Sequence, residues 1–260
     1  MSGKDEKDKE TEQQEQESYE QVLKLCGITQ KEVKNTIADL LQGENPKVQI
    51  SSERGEVILR VSAVKEEDKG AKKLAKPVIK EIKARFSEKI YTTEENVTLA
   101  ETIVELLTSN SLTLCTAESC TGGMIAARLV DVPGVSAVFK EGFVTYSNKA
   151  KRARLGVKKS TLLKRGAVSE QTVKEMVKGG IFAAKTDICL AVSGLAGPDG
   201  GTEEKPVGTV FIGCGVKGKI NVSEFHFKGD RNTVRERTVT EALSMLRVCI
   251  LKYYSEKNFA

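Results

Sequence analysis

Apolar positions recur along this chain with two different periods, and the switches between them mark out its elements. Val33, Ile37, Leu40 and Leu41 fall at helical spacing behind Thr29 and Glu32, a pairing that can cap a helix N-terminus. The run "GENP" (Gly43–Pro46) ends that helix. "KVQI" and "EVILRVSAV" then read as strands, with Val57, Leu59 and Val61 alternating against Glu56, Ile58 and Arg60. "AKPVIKEIKARFSEKI" returns to the helical period and sets Val78, Ile79, Ile82, Phe86 and Ile90 on one face. Pro77 is then expected in the first turn, where its missing N–H costs nothing. Residues 19–92 thus predict a small α+β domain of order α-β-β-α, with the polar stretch Tyr91–Thr98 as linker.

From Thr98 the pattern becomes that of a larger domain, residues 93–260. Thr98 and Glu101 repeat the capping pair before the helix "LAETIVELLTSN". A strand over 112–116, a helix over 121–131, a strand over 143–147 and a short helix over 148–155 follow. Next come a helix over 170–184 capped by Ser169 and the strand "ICLAVSG" (188–194). Two strands, "VGTVFIGCGV" and "KINVSEFHF", are separated only by Lys217–Lys219 and predict an antiparallel hairpin. A last helix begins near Asp230, with Val234, Val239, Leu243, Leu246 and Ile250 as its core positions. Such alternation predicts a three-layer α/β/α domain with a mixed sheet, preceded by the small α+β domain.

Charge and composition narrow the options. Residues 1–18 are almost entirely polar and read as a disordered charged lead-in with no apolar signal segment. No apolar run is long enough to span a bilayer. Lys and Arg number 41 against 36 Asp and Glu, with the lysines spread along the chain, so nucleic-acid binding is not expected. The six cysteines are scattered, without a C-x-x-C pair, which points to reduced thiols in a cytoplasmic protein and no zinc site. The single histidine, His226, lies between Phe225 and Phe227 in a strand and reads as an ordinary strand residue.

Three segments end strands with unusual residues and can converge on one cleft beyond the strand carboxyl ends. In "AESCTGG" (Ala117–Gly123) a strand turns into a helix; Ser119 can act as nucleophile there, or Ser119 or Thr121 can simply cap the helix. Gly122 and Gly123 allow close approach to backbone amides that can hold an oxyanion. In "TYSNKAKRARLG", Tyr146, Lys149 and Lys151 follow an apolar strand; taken alone, the two lysines read as surface charges. "SGLAGPDGGTEEKPVGT" is a long shaped loop that offers Ser193, Gly194, Gly201, Thr202 and Lys205 to a polar ligand. Arg231 and Arg235, at the start of the last helix, can bind a phosphate or form a solvated helix end. "GCGVKG" matches a dinucleotide fingerprint but lies between two strands, so it reads as hairpin glycines.

Together "TAESCTGG", "GFVTYSNKAKRARLGV" and "SGLAGPDGGTEEKPVGTV" resemble the C-terminal domain of the CinA (competence/damage-inducible) family, over about Leu99–Leu251. Residues 19–92 resemble the small domain that precedes it in that family. The family's large N-terminal molybdopterin-binding-like domain has no counterpart here, so ADP-ribose pyrophosphate cleavage is not expected. The resemblance implies a metal-independent, cofactor-free amidohydrolase that converts nicotinamide mononucleotide to nicotinic acid mononucleotide and ammonia. It implies Ser119 as nucleophile, Lys151 as base and Tyr146 as assistant. Gly122 and Gly123 would hold the oxyanion, Ser193 and its loop the ribose or ring, and Arg231 or Arg235 the phosphate. Glu118 would orient the turn or bind substrate. A homo-oligomer is expected. Asp199 stands where glycine is common in the family and adds negative charge near an anionic substrate. A non-catalytic nucleotide-binding or interaction module, linked to competence or DNA damage, and hydrolysis of a different small amide are the competing readings.

Overall fold

The computed structural model describes residues 17–258, with side chains through Ser255, so the lead-in expected over 1–18 lies outside the described residues as far as residue 16. Two compact units divide at Val97/Thr98.

The first unit runs β1 (Ser18–Leu25), α1 (Gln30–Thr36), β2 (Lys47–Glu53), β3 (Glu56–Val64), α2 (Ala71–Phe86) and β4 (Ile90–Thr92). Its sheet has the order β2-β3-β1-β4, antiparallel throughout. The capping box of Thr29 and Glu32 starts α1 as expected, and β3 alternates as expected, burying Val57, Leu59 and Val61. The order is β-α-β-β-α-β, so the α-β-β-α expectation lacked both outer strands. β1 escapes notice because only Val22, Leu23 and Leu25 are buried in a segment that otherwise reads as an extension of the charged lead-in. β4 has just three residues, yet Tyr91 is buried and its hydroxyl donates to Glu56. Tyr91 therefore belongs to this unit and not to a linker. Pro77 is also corrected: α2 starts at Ala71, so the proline lies inside the helix, where the bond to the Lys73 carbonyl is forfeited. Burial of Ala71, Ala75, Ile82 and Phe86 holds the helix across that gap.

The second unit runs α3 (Leu99–Ser109), β5 (Leu114–Glu118), α4 (Met124–Val130), β6 (Phe139–Val144), α5 (Asn148–Leu155), α6 (Lys159–Arg165), α7 (Glu170–Ala184), β7 (Ile188–Gly194), β8 (Thr209–Val216), β9 (Lys219–His226) and α8 (Arg231–Asn258). The sheet order is β6-β5-β7-β8-β9. β5 pairs in parallel with β6 and β7, while β8 and β9 join antiparallel, which makes the sheet mixed. β5, β7 and β8 are buried almost throughout, as strands covered on both faces must be. α7 covers one face; a Cβ at Gly213 or Gly215 of β8 would strike its Val173 or Val177. α8 covers the other face, with Val234, Val239, Leu243, Leu246 and Ile250 all buried.

The expected boundaries shift in places. β5 extends to Glu118, β6 begins at Phe139, and α6 was not anticipated because its seven residues carry only a short apolar repeat. The "GCGVKG" glycines lie in β8 and the hairpin turn that follows it. His226 is exposed on edge strand β9. No helix among the described residues is long and apolar enough to cross a membrane.

Candidate active site

The carboxyl ends of the three parallel strands meet around Ser119. The Ser119 amide donates to the Val192 carbonyl (3.1 Å), and the Thr145 amide donates to the Glu118 carbonyl (2.8 Å). The turn after β5 is thus laced to both neighbouring strand ends. Gly122 (φ +63°) and Gly123 (φ +99°) then take left-handed backbone that other residues resist, and α4 begins.

Glu118 sets this turn. Its Oε2 accepts the Thr121 hydroxyl (2.7 Å) and the amides of Gly123 (2.9 Å) and Ile125 (3.1 Å), and its Oε1 accepts the Ala126 amide (2.9 Å). A buried carboxylate at a helix N-terminus satisfies orphan amides and complements the dipole. Of the two roles open to Glu118, orienting the turn is the one its bonds serve; both oxygens are already engaged, against the substrate-binding expectation. The Gly122 amide donates to the Ser119 carbonyl (3.1 Å), and the Gly123 amide is spent on Glu118. These two amides are therefore not free for an oxyanion. The amides of Cys120 and Thr121 lie instead beside the Cys120 sulfur.

Lys151 is 1% exposed, so its reading as a surface charge is overturned. The N-cap hydroxyl of Ser147 accepts the Ala150 amide and starts α5, whose first turn points Lys151 inward. Its Nζ lies 2.8 Å from Ser119 Oγ, 2.8 Å from the Thr145 carbonyl oxygen and 3.4 Å from that of Tyr146. Burial pushes its pKa down to about 8, and the positive end of the helix dipole acts in the same direction. A neutral amine fits these three partners: two N–H groups donate to the carbonyls, and the lone pair accepts the serine hydroxyl. Cys120 is no rival nucleophile, because burial pushes its thiol up to about 11. Next to this cluster, the buried Thr145 hydroxyl has no hydrogen-bond partner among the described residues. Lys149 is exposed, as expected.

The other expected residues fall into two groups. Arg231 and Arg235 on α8 reach the same cleft. Arg235 donates to the carbonyls of Cys120 (3.1 Å) and Thr121 (3.0 Å) and so grips the serine turn. Arg231 donates to the Gly197 carbonyl (2.7 Å) and to the Tyr146 hydroxyl (3.4 Å). Tyr146 is 63% exposed; its carbonyl, not its phenol, meets Lys151.

The glycine-rich loop forms the second group. Ser193 is buried and donates to the Ala167 carbonyl (2.9 Å). A Cβ at Gly194 would lie 2.5 Å from Val210, and one at Gly201 would lie 2.8 Å from the Val207 nitrogen. The Thr202 hydroxyl closes a turn by accepting the Lys205 amide (3.1 Å). Lys205 donates to the carbonyls of Arg165 and Val168. These contacts shape the loop, and they account for Ser193, Gly194, Gly201 and Thr202 without a ligand. The parts that sequence reasoning missed are the Thr145 carbonyl and the grip of Arg235; a backbone carbonyl leaves no mark in sequence, and a helix-start arginine looks like any other.

A mixed, helix-covered sheet whose strand-end serine meets a buried lysine places the chain among α/β proteins with a serine–lysine pair. It belongs to the CinA family: the profile of the CinA C-terminal domain matches residues 96–250, and that of the damage-inducible protein CinA KH domain matches residues 20–92. A Clostridium perfringens relative named as competence-damage inducible is 47% identical over 226 residues, which are 87% of this chain and 55% of its own. A CinA-like protein of Kosmotoga olearia is 44% identical over 234 residues, 90% of this chain and 57% of its own. The chain thus spans about half the length of these curated relatives. Among solved structures, the competence/damage inducible protein CihA of Agrobacterium tumefaciens aligns with TM-score 0.57 and 43% identity, over 58% of this chain and 93% of that one. A CinA superfamily protein of Klebsiella pneumoniae aligns with TM-score 0.58 and 38% identity, over 59% of this chain and 96% of that one.

Proposed function

We propose that this chain is a serine amidohydrolase that converts nicotinamide mononucleotide and water to nicotinic acid mononucleotide and ammonia. The supporting observation is the buried Lys151 amine, 2.8 Å from Ser119 Oγ and held by two carbonyls. Neutral Lys151 takes the Ser119 proton as Oγ attacks the carboxamide carbon. The oxyanion is received by the amides of Cys120 and Thr121, because those of Gly122 and Gly123 are spent; the amide following a serine nucleophile commonly fills this role. The lysine ammonium then protonates the nitrogen, which leaves as ammonia. Water adds to the acyl-enzyme, giving its proton to Lys151, and the acid leaves as Ser119 is restored.

Arg231 is the better candidate for the 5′-phosphate. It is exposed, and its position between Tyr146 and Gly197 fronts the cleft, whereas Arg235 is occupied with the serine turn. In this reading Tyr146 positions Arg231 through its phenol and Lys151 through its carbonyl. Assembly as a homo-oligomer is part of the proposal and is read by light scattering.

The test is ammonia release from nicotinamide mononucleotide with a chelator present. Wild type and Cys120→Ala should release ammonia, and Ser119→Ala should not. No release by the folded wild type would sink the nucleotide reading and turn the search to other amides and to a binding role. Release by Ser119→Ala would remove the serine as nucleophile.

A further inference from the structure

Residues 148–165, which form α5 and α6, hold eight Lys and Arg and no Asp or Glu. Lys151 is turned inward; Lys149, Arg152, Arg154, Lys158, Lys159, Lys164 and Arg165 are all exposed. Four of them, Lys149, Arg152, Lys158 and Lys159, line a cavity of about 470 Å³ together with Ala153 and Val157. None of its lining residues belongs to the Ser119 cluster.

Ordinary surface economy does not account for this arrangement. Arg152 and Arg154 in the last turn of α5, and Lys164 and Arg165 in the last turn of α6, complement the helix dipoles. Lys158 and Lys159 do the opposite, since they sit at the positive start of α6. Soluble surfaces intersperse charges of both signs; here, among the described residues, none of the four lining cations is in an ion pair. Glu175 of α7 accepts the Lys158 amide (2.9 Å), the Thr161 hydroxyl (2.8 Å) and the Gln171 side-chain amide (3.0 Å); its charge offsets part of that of Lys158 without pairing with the ammonium. Like charges around a concave surface focus a positive potential at a cost in self-repulsion. An anionic occupant removes that cost. Ala153 and Val157 add apolar lining suited to the sugar or base of a molecule whose phosphates meet the cations, and the cavity volume falls within the range of small-ligand sites.

We infer that the α5–α6 cavity is a second binding site, for the phosphate groups of a nucleoside polyphosphate or of a nucleic-acid backbone. It is separate from the Ser119 site and does not depend on the reaction proposed there. The full chain is titrated with ATP, with inorganic tripolyphosphate and with a fluorescein-labelled oligothymidylate of about twelve nucleotides, at salt concentrations of about 50 and 200 mM. Wild type is expected to bind at least one probe saturably. Arg152→Glu combined with Lys159→Glu should weaken that binding at least about tenfold and lower the salt slope by about 2. ATP and tripolyphosphate saturating one site and displacing the oligonucleotide would support the free polyphosphate as occupant. Steeply salt-dependent binding of the oligonucleotide alone would support the nucleic-acid backbone. No binding of any probe at about 1 mM, or equal binding by the double variant, would overturn the inference. Circular dichroism checks the fold of the variant, and Lys149→Gln with Arg152→Gln replaces it if it fails to fold.

Discussion

Lys149 and Lys151 look alike in sequence, yet one is solvated and the other is 1% exposed. What separates them is register. Lys151 stands four residues before Leu155, also buried, so both fall on the inward face of α5. That spacing is visible in the sequence, but a lysine at an apolar position is normally read as the end of the stripe. The burial has a thermodynamic signature. The amine falls from 10.5 to about 8 on folding, so between those values the unfolded chain binds more protons and stability rises with pH. Below pH 8 both states are protonated and the native state bears the full cost of the buried charge. Relative to Lys151→Met, wild type should gain ~2–3 kcal/mol from pH 7 to pH 10, measured by denaturant unfolding at each pH. A flat difference would mean that the amine is not held neutral. In the proposed reaction the same neutral form accepts the serine proton. The kcat/KM of ammonia release should therefore climb about tenfold per pH unit below pH 8 and level off above it.

Elements enter the site through their ends and their packing. Glu118 caps α4 with both carboxylate oxygens, and a glutamine in its place accepts through only one. Glu118→Gln should cost about 1–3 kcal/mol in chemical denaturation and lower kcat more than it raises KM. α7 acts from behind. A Cβ at Gly179 would sit 1.9 Å from the Leu155 carbonyl oxygen at the end of α5. Backbone cannot yield as a flexible side chain can, so Gly179→Ala should push α5 away from α7 and carry Lys151 off Ser119. The expected result is a loss of stability of ~2 kcal/mol or more together with lost activity, whereas Lys178→Ala, on the exposed side of α7, should be silent in both assays. Element reading from sequence succeeded where caps and long apolar repeats were strong: α3, α7, β7, the β8–β9 hairpin and α8. It failed at β1 and β4, whose identity comes from pairing with β3 and with each other across long separations. It also misplaced β6, an edge strand with mostly exposed residues and therefore a weak pattern.

At the scale of the whole molecule, the three site segments converge because β5, β6 and β7 run parallel and end together. This was legible from their strand-end positions, while the antiparallel half of the sheet supplies only support. All of the Ser119 cluster lies within Thr98–Ala260. The isolated second unit should hydrolyse nicotinamide mononucleotide with a kcat/KM within about threefold of the full chain, by the approximate additivity of distant sites. A larger loss would assign the first unit a share in the reaction. The net charge of +5 conceals the concentration of cations on α5 and α6, so a global charge balance is a poor guide to local fields. The Ser119–Lys151 geometry carries one more consequence. Protein contacts alone hold oxygen and amine at 2.8 Å, so the attack proposed above would need no prior ordering of this pair. Electrophiles that accept an alkoxide and become tetrahedral, such as a boronic acid on a pyridine ring, should be captured reversibly. Covalent trapping then becomes a way to select ligands for this centre before its substrate is identified.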